Sequence, residues 1–212
     1  MLPIHAVLFD YGLVLTGPPD PAARVKMQHV LNVDEPGLQR AYWRHRDAYD
    51  RGALSGVAYW HQVAADLDRT LDAASLAALI QADNALWTQP NQPMIDWAAS
   101  LQRAGIKTGI LSNIGDEMEA GIRARFPWLA EFSHHTFSHR LGIAKPDLEI
   151  YRLAAEGLAE PPGHILFVDD KPENIQGARE VGMTAVPYST DAAFAEEMSR
   201  LGLRSLWLKN GG

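Results

Sequence analysis

A doubly wound (Rossmann-like) α/β fold, with a parallel-sheet core and an inserted all-helical cap, is what this sequence predicts, and three observations predict it. Short apolar runs without alternation recur along the chain; helical periodicity fills the gaps between them; and from residue 17 to residue 87 the strand-like runs stop. Apolar runs without alternation suit strands covered on both faces, as in parallel sheets.

Four runs carry the strand assignment: Ala6–Phe9, Thr108–Leu111, Ile165–Val168 and Thr184–Val186. Between the first two, Met94, Ile95, Trp97, Ala98 and Leu101 repeat at helical spacing and stop at Gly105, a glycine suited to a helix C-terminus. A second helix is expected to open with Pro146 and Asp147 and to continue through Ile150, Tyr151, Leu153 and Ala154. Strand alternating with helix in this way gives a doubly wound sheet. In the strand-free stretch, Ser55 is placed to cap a helix bearing Trp60, Val63, Ala64 and Leu67, and Asp72 another bearing Leu76, Leu79, Ile80 and Leu86. The breaker clusters "GPPDP" and "QPNQP" bracket that stretch. The expected organisation is therefore a core of residues 1–16 and 88–212 with a helical cap at 17–87.

Composition narrows the function. With 47% apolar and 21% charged residues, the 212-residue chain has material for a sizeable core. A net charge of −7 argues against general binding to nucleic acid or to acidic membranes. There is no cysteine, which excludes disulfides, thiolate catalysis and cysteine-ligated zinc and fits a reducing cytosol. No segment has the roughly 20 apolar residues of a membrane helix, and the N-terminus lacks a signal-peptide pattern, so a cytoplasmic monomer or homodimer is expected.

The polar residues collect at strand ends. The first run ends at Asp10, the second at Ser112 and Asn113, the third at Asp169 and Asp170, and Lys145 precedes the helix expected at Pro146. In open parallel sheets, ligands bind beyond the carboxyl ends of the strands near a topological switch point. Crowded carboxylates repel unless a cation is shared. Magnesium held by one or two carboxylates, waters and a substrate phosphate resolves that repulsion. The helix expected after Asn113 offers backbone N–H groups to an anion, and Lys145 adds positive charge. The expected partner is a small phosphorylated molecule.

The segments "LFDYGLVLTG", "ILSN", "AKPD" and "LFVDDKPENIQGAREVGM" resemble, in order, the four motifs of the haloacid dehalogenase-like (HAD) hydrolase superfamily. The helical stretch after the first resembles the family's C1 cap. The resemblance implies roles residue by residue. Asp10 is the nucleophile that forms an aspartyl-phosphate. Ser112 and Asn113 hydrogen-bond the phosphoryl oxygens, and Lys145 offsets charge on nucleophile and phosphoryl group. Asp10, Asp170 and the backbone carbonyl of Gly12 hold Mg2+. Asp169 orients Lys145 or a metal-bound water. Asn174 either contacts the metal's water shell or makes a helix-start hydrogen bond.

Gly12 departs from the pattern. Many phosphatases of this family carry at that position an aspartate that protonates the leaving oxygen, help worth about 10²–10⁴ in rate. Three readings stay open: a phosphatase for anomeric or aryl phosphates, a 2-haloacid dehalogenase, or a binding or regulatory protein without turnover. Glycine here and the stretch "RGALSGVAYWHQVAADL" resemble the branch that holds α-glucose-1-phosphate phosphatase and the epoxide hydrolase N-terminal phosphatase domains. The Asp169–Asp170 pair weighs against dehalogenation, which needs no cation. Tyr11, His45 and His61 are candidates for a replacement proton donor, none placed by sequence. Thr16 fits a flap-turn role at least as well as one in positioning water. The histidines of "SHHTFSHR" fall short of the four ligands of a closed zinc site, so a solvated loop or edge strand is expected there. Trp43, Trp60 and Trp87 are read mainly as aromatic core, with stacking on a substrate ring as the alternative.

Overall fold

A computed structural model describes residues 3–207. Five parallel strands, β1 (Ala6–Phe9), β2 (Lys107–Ser112), β3 (His134–Phe137), β4 (Ile165–Asp169) and β5 (Thr184–Pro187), form one sheet in the order β3-β2-β1-β4-β5. The chain builds outward from β1 through β2 to β3, then crosses back to β4 and β5. The switch point therefore lies beside β1, and its crevice opens between the ends of β1 and β4.

Alternation along each strand divides the core. Val7, Phe9, Ile110, Leu166, Val168 and Val186 face one hydrophobic cluster, while Ala6, Leu8, Leu111, Ile165, Phe167 and Ala185 face the other. Helices α6 (Gln92–Arg103), α7 (Asp116–Arg125) and α11 (Asp191–Arg200) cover the first face through residues such as Trp97, Ile122 and Phe194. Helices α9 (Leu148–Leu158) and α10 (Pro172–Glu180) cover the second through Ile150, Ala154 and Ala178. Both faces are dry, which is why the strand runs lack polar alternation. Each wholly buried Phe or Leu contributes about 1.5–3 kcal/mol.

One boundary differs from the sequence reading. The helix expected to open at Pro146 begins at Leu148, because residues 144–147 form a turn closed by the Asp147 amide on the Ala144 carbonyl at 2.8 Å. Of the two forms expected around His134, a solvated loop or an edge strand, the chain takes the edge strand. Its first two residues are half-buried and only Thr136 and Phe137 are buried, so it has no apolar run to announce it.

Between β1 and α6 lie α1 (Pro21–Leu31), α2 (Glu35–Arg44), α3 (Arg46–Asp50), α4 (Gly56–Ala65) and α5 (Ala73–Leu86), which share a hydrophobic cluster of their own. Their starts follow capping chemistry. The Ser55 hydroxyl accepts the Ala58 amide at 3.2 Å, and the Asp72 carboxylate accepts the Ser75 amide at 2.7 Å. Trp60, Val63, Ala64, Leu79 and Leu86 are buried, whereas Leu67 falls past the end of α4. The two chain crossings at the neck pair with each other: the Gly17 amide donates to Gln89 at 2.7 Å and the Asn91 amide to Leu15 at 3.0 Å. Among the described residues, no helix is long and apolar enough to cross a membrane.

Candidate active site

Asp10 leaves the end of β1 with its amide still on the Val168 carbonyl of β4 at 2.9 Å. Its carboxylate accepts the Tyr11 amide at 2.7 Å and meets the Lys145 ammonium at 2.8 Å. The same ammonium meets Asp169 at 2.7 Å and lies 5.6 Å from the centroid of the Phe167 ring. Lys145 is held from behind by Asn113, whose side chain donates to the Lys145 carbonyl at 2.9 Å and accepts its amide at 2.8 Å. Asn113, expected beside the phosphoryl group, lines the same cavity, and its side chain clamps the lysine backbone.

Asp169 is fully buried and surrounded by donors. Besides Lys145, it accepts the Lys171 amide at 2.8 Å and the Asn174 amide group at 2.9 and 3.1 Å. Asn174, in the first turn of α10, lines the cavity and its side chain fixes Asp169. Asp170 points the other way, into the cavity that Asp10 also lines. Oxygens of Asp10, Asp169 and Asp170 lie within 4.8 Å of one another. Because donors already saturate Asp169, the pair with oxygen lone pairs to offer a hard cation is Asp10 and Asp170.

The electrostatics agree with such a centre. Burial, reinforced by Asp169 and Asp170 and opposed by Lys145, pushes the Asp10 carboxyl up to about 7. Burial and the Asp169 charge also raise Asp170. Burial works against the Lys145 ammonium, but Asp10 and Asp169 outweigh it and hold it above its ordinary value. One ammonium against three clustered carboxylates leaves negative charge that a divalent ion would neutralise.

Ser112, at the end of β2, is buried and lines the cavity. The helix expected after Asn113 is α7. It begins three residues later, at Asp116, and its first turn carries Asp116, Glu117 and Glu119, a poor seat for an anion. The Ile114 amide is engaged by Ser138 Oγ at 2.9 Å and the Asp116 carboxylate by the Gly56 amide of the cap at 2.9 Å. This helix end therefore docks the cap.

After Asp10 the chain makes a flap turn. Leu13 takes a left-handed φ of 60°, its amide reaches Thr16 Oγ1 at 3.3 Å, and the Thr16 amide returns to Tyr11 at 3.0 Å. Thr16 is a turn residue here. A Cβ at Gly12 would meet Trp87 at 3.8 Å, ordinary contact, so packing does not demand glycine. The Tyr11 hydroxyl donates to the Trp87 carbonyl at 3.0 Å, and burial pushes the phenol well above its usual range. His45 pairs with Asp66 at 2.8 Å, and neither it nor His61 lines the cavity. The histidines near β3 diverge: His135 bonds Leu129, His139 bonds Glu119, and His134 packs on Gly157.

The cavity has a volume of about 320 Å³. Its floor is the strand-end cluster; the cap adds Trp43, Arg46 and Asp50, and Leu13, Trp87, Ile114 and Met118 complete its walls. Trp60, by contrast, is buried cap core. Arg46 and Asp50 escaped sequence reading. Their i,i+4 spacing within "WRHRDAYDRG" was the available signal, but a charge pair on a helix is ordinarily a solvated one.

Fold and strand-end carboxylates together define a capped α/β hydrolase. The family model described as haloacid dehalogenase-like hydrolase matches residues 13–182, and the chain belongs to that family. Bifunctional epoxide hydrolase 2 of Sus scrofa is 33% identical over 123 residues, 55% of this chain and 22% of that one, so the match spans about a fifth of that relative's length. The sesquiterpene phosphatase AstK of Aspergillus oryzae is 24% identical over 92% of this chain and 95% of its own. The (S)-2-haloacid dehalogenase 1 of a Pseudomonas strain is 29% identical over 88% and 85%. Among solved structures, the HAD family enzyme BT-2542 of Bacteroides thetaiotaomicron superposes with a TM-score of 0.75 at 18% identity, covering 93% of this chain and 99% of that one. BT-2542 has also been crystallised with magnesium and inorganic phosphate.

Proposed function

We propose that the protein is a magnesium-dependent phosphomonoesterase that hydrolyses a small phosphorylated metabolite through an aspartyl-phosphate on Asp10, beneath a cap formed by residues 17–87. The observation that carries this reading is the division of labour among the carboxylates. Asp169 is saturated by Lys145, Asn174 and Lys171, while Asp10 and Asp170 both reach the cavity.

In this mechanism a carboxylate oxygen of Asp10 attacks phosphorus and the ester oxygen leaves. Lys145, anchored by Asp169 and clamped by Asn113, draws Asp10 toward its ionised, attacking form against the effect of burial and offsets charge that gathers on the phosphoryl oxygens. The Ser112 hydroxyl donates to one of those oxygens. Asp10, Asp170 and the Gly12 carbonyl would hold Mg2+, which supplies charge neutralisation at the phosphoryl group. BT-2542, crystallised with that metal and phosphate, and the phosphatase AstK support the assignment. Gly12 has no proton for the leaving group, so this flap turn alone suits anomeric sugar phosphates and aryl phosphates, whose leaving oxygens need least protonation.

The test is phosphate release from a panel of aryl, sugar and alkyl phosphates, with Mg2+ and with EDTA. Activity that requires Mg2+ and vanishes in Asp10→Asn, with the melting profile unchanged, is the expected result. Retained activity in that variant removes Asp10 from the mechanism. The Pseudomonas relative favours a second reading, dehalogenation, and halide release from a 2-haloacid without phosphate release from any ester would select it.

A further inference from the structure

The cavity contains few groups that could protonate a leaving oxygen. Among the described residues lining it, the side chains with ionisable protons are Asp10, Tyr11, Arg46, Asp50, Lys145, Asp170 and Lys171. Asp10 and Lys145 are committed to nucleophilic attack and its charge, and Asp170 to the cation. The Tyr11 hydroxyl donates to Trp87, and a guanidinium keeps its protons. Asp50 and Lys171 remain.

Asp50 is the better built of the two. It is the last residue of α3, its side chain is 14% exposed, and its carboxylate accepts from Arg46 Nε at 2.9 Å. Arg46 is itself fixed, with the Tyr42 and Tyr49 rings each 5.2 Å from the guanidinium carbon and Asp83 at 3.5 Å. The Asp50 carbonyl accepts the Ser138 hydroxyl of α8 (Ser138–Leu141). Next in the chain, Arg51 pairs with Asp147 at 2.6 Å. The cap thus seats this carboxyl against the core on both sides. Lys171, by contrast, is an exposed side chain.

We propose that Asp50 is the catalytic acid that replaces the aspartate missing at Gly12: the cap, rather than the flap turn, delivers the proton to the leaving oxygen. The proposal rests on the phosphatase reading above. As the P–O bond to the leaving group breaks, the Asp50 carboxyl transfers its proton to that oxygen, releasing an alcohol and leaving a carboxylate beside Arg46. In the second step a water attacks phosphorus, its proton passes to Asp50, and the bond to Asp10 breaks, releasing phosphate and restoring the Asp10 carboxylate and the Asp50 carboxyl. Burial raises Asp50 above the usual carboxyl range, against the pull of Arg46; Asp83 adds to the rise and Lys171 opposes it. Arg46 is the positioning residue, stabilising the carboxylate once the proton has gone. The acid extends the enzyme's range from aryl and anomeric phosphates to simple alkyl phosphates.

The experiment compares kcat/KM on 4-nitrophenyl phosphate, a good leaving group, with that on an alkyl phosphate, in the full chain with Mg2+. Wild type is expected to hydrolyse both. Asp50→Asn should lose about 10²–10⁴ on the alkyl ester and less than about 10-fold on the nitrophenyl ester. Adding Gly12→Asp to Asp50→Asn should restore the alkyl activity, since the space beside Trp87 admits a side chain. An equal loss on both esters marks a structural role and overturns the proposal, as does the selective loss appearing in Lys171→Met instead. Two arms need no variant at position 50. Wild type that cleaves only the nitrophenyl ester has no acid, and wild type that releases phosphate from nothing fails the phosphatase reading first.

Discussion

Replacing Arg46 by methionine isolates the physics of the cap's polar centre. The guanidinium is 9% exposed and is the cation for both Asp50, at 2.9 Å, and Asp83, at 3.5 Å; Asp83 is 4% exposed and also accepts the Tyr42 hydroxyl at 2.7 Å. Methionine keeps the apolar stem but removes the guanidinium, which lies 5.2 Å from the Tyr42 and Tyr49 ring centroids, together with its charge and its hydrogen bonds to Asp50, Asp83 and the Tyr42 hydroxyl. Breaking a buried pair by deleting one partner costs about 3–5 kcal/mol, because the survivors are uncompensated. Burial already lifts both carboxyls above their ordinary values. In the variant Asp83, charged opposite Arg46 in the wild type, would bind a proton rather than stay charged, which holds the loss near 3 kcal/mol. At about 2–4 °C per kcal/mol for a chain of this size, Tm should fall by about 6–12 °C. Thermal unfolding at pH 7 of Arg46→Met and of Arg46→Met/Asp83→Asn reads this directly. The double variant should melt higher than the sum of the single effects, since its orphaned carboxylate is gone. A drop under about 2 °C, or strict additivity, would refute the reasoning.

Two other perturbations follow from the same docking geometry. A Cβ at Gly115 would stand 2.1 Å from the ring of Tyr49, itself 1% exposed, so Gly115→Ala should cost about 1–3 kcal/mol and raise KM by displacing α3; unchanged melting and kinetics would show that the ring can move. Burial disfavours the Glu119 carboxylate, but bonds from Arg123, Arg140 and His139 at 2.5–2.8 Å outweigh it and hold its pKa below the ordinary 4.5. A carboxyl depressed in the fold stabilises above its unfolded pKa and loses that contribution as pH falls, so wild-type Tm should drop below about pH 4.5 more steeply than that of Glu119→Gln; parallel profiles would contradict the pairing.

Sheet and motifs were legible because burial on two faces leaves a continuous apolar run, and because strand ends concentrate charge that nothing else explains. Ala6–Phe9 followed by Asp10 shows both signals within five residues. The edge strand His134–Phe137 showed neither, since only half of it is buried. The role of Asn113 was hidden for a different reason. Its clamp on Lys145 joins residues 32 positions apart, through backbone atoms that every residue type possesses. The start of α9 was misread because proline and aspartate suit a helix's first turn as well as the preceding one, and only the 144–147 turn decides between them. Arg46 and Asp50 lay beyond sequence reading altogether, because their spacing fits a solvated pair and only tertiary packing buries them.

The neck ties the chemistry of the strand ends to the position of the cap. The chain leaves Asp10 through the flap turn, passes Gly17 and returns at Gln89, with Leu15 and Gly17 hydrogen-bonded across the crossing. The Tyr11 hydroxyl holds the Trp87 carbonyl, and the Trp87 indole lies where a side chain at position 12 would point. An aspartate at 12 would have set its carboxyl against that indole, in a partly apolar wall. With glycine there, the wall stays apolar and the polar function moves to α3, where Arg46 can stabilise the charge left by proton transfer. In the proposed mechanism cap and nucleophile must be in register for turnover: a shift of α3 relative to β1 displaces acid and attacking oxygen in the same motion. The contacts that fix α3, Ser138 on the Asp50 carbonyl and Asp147 on Arg51, thereby bear on catalysis although neither residue lines the cavity.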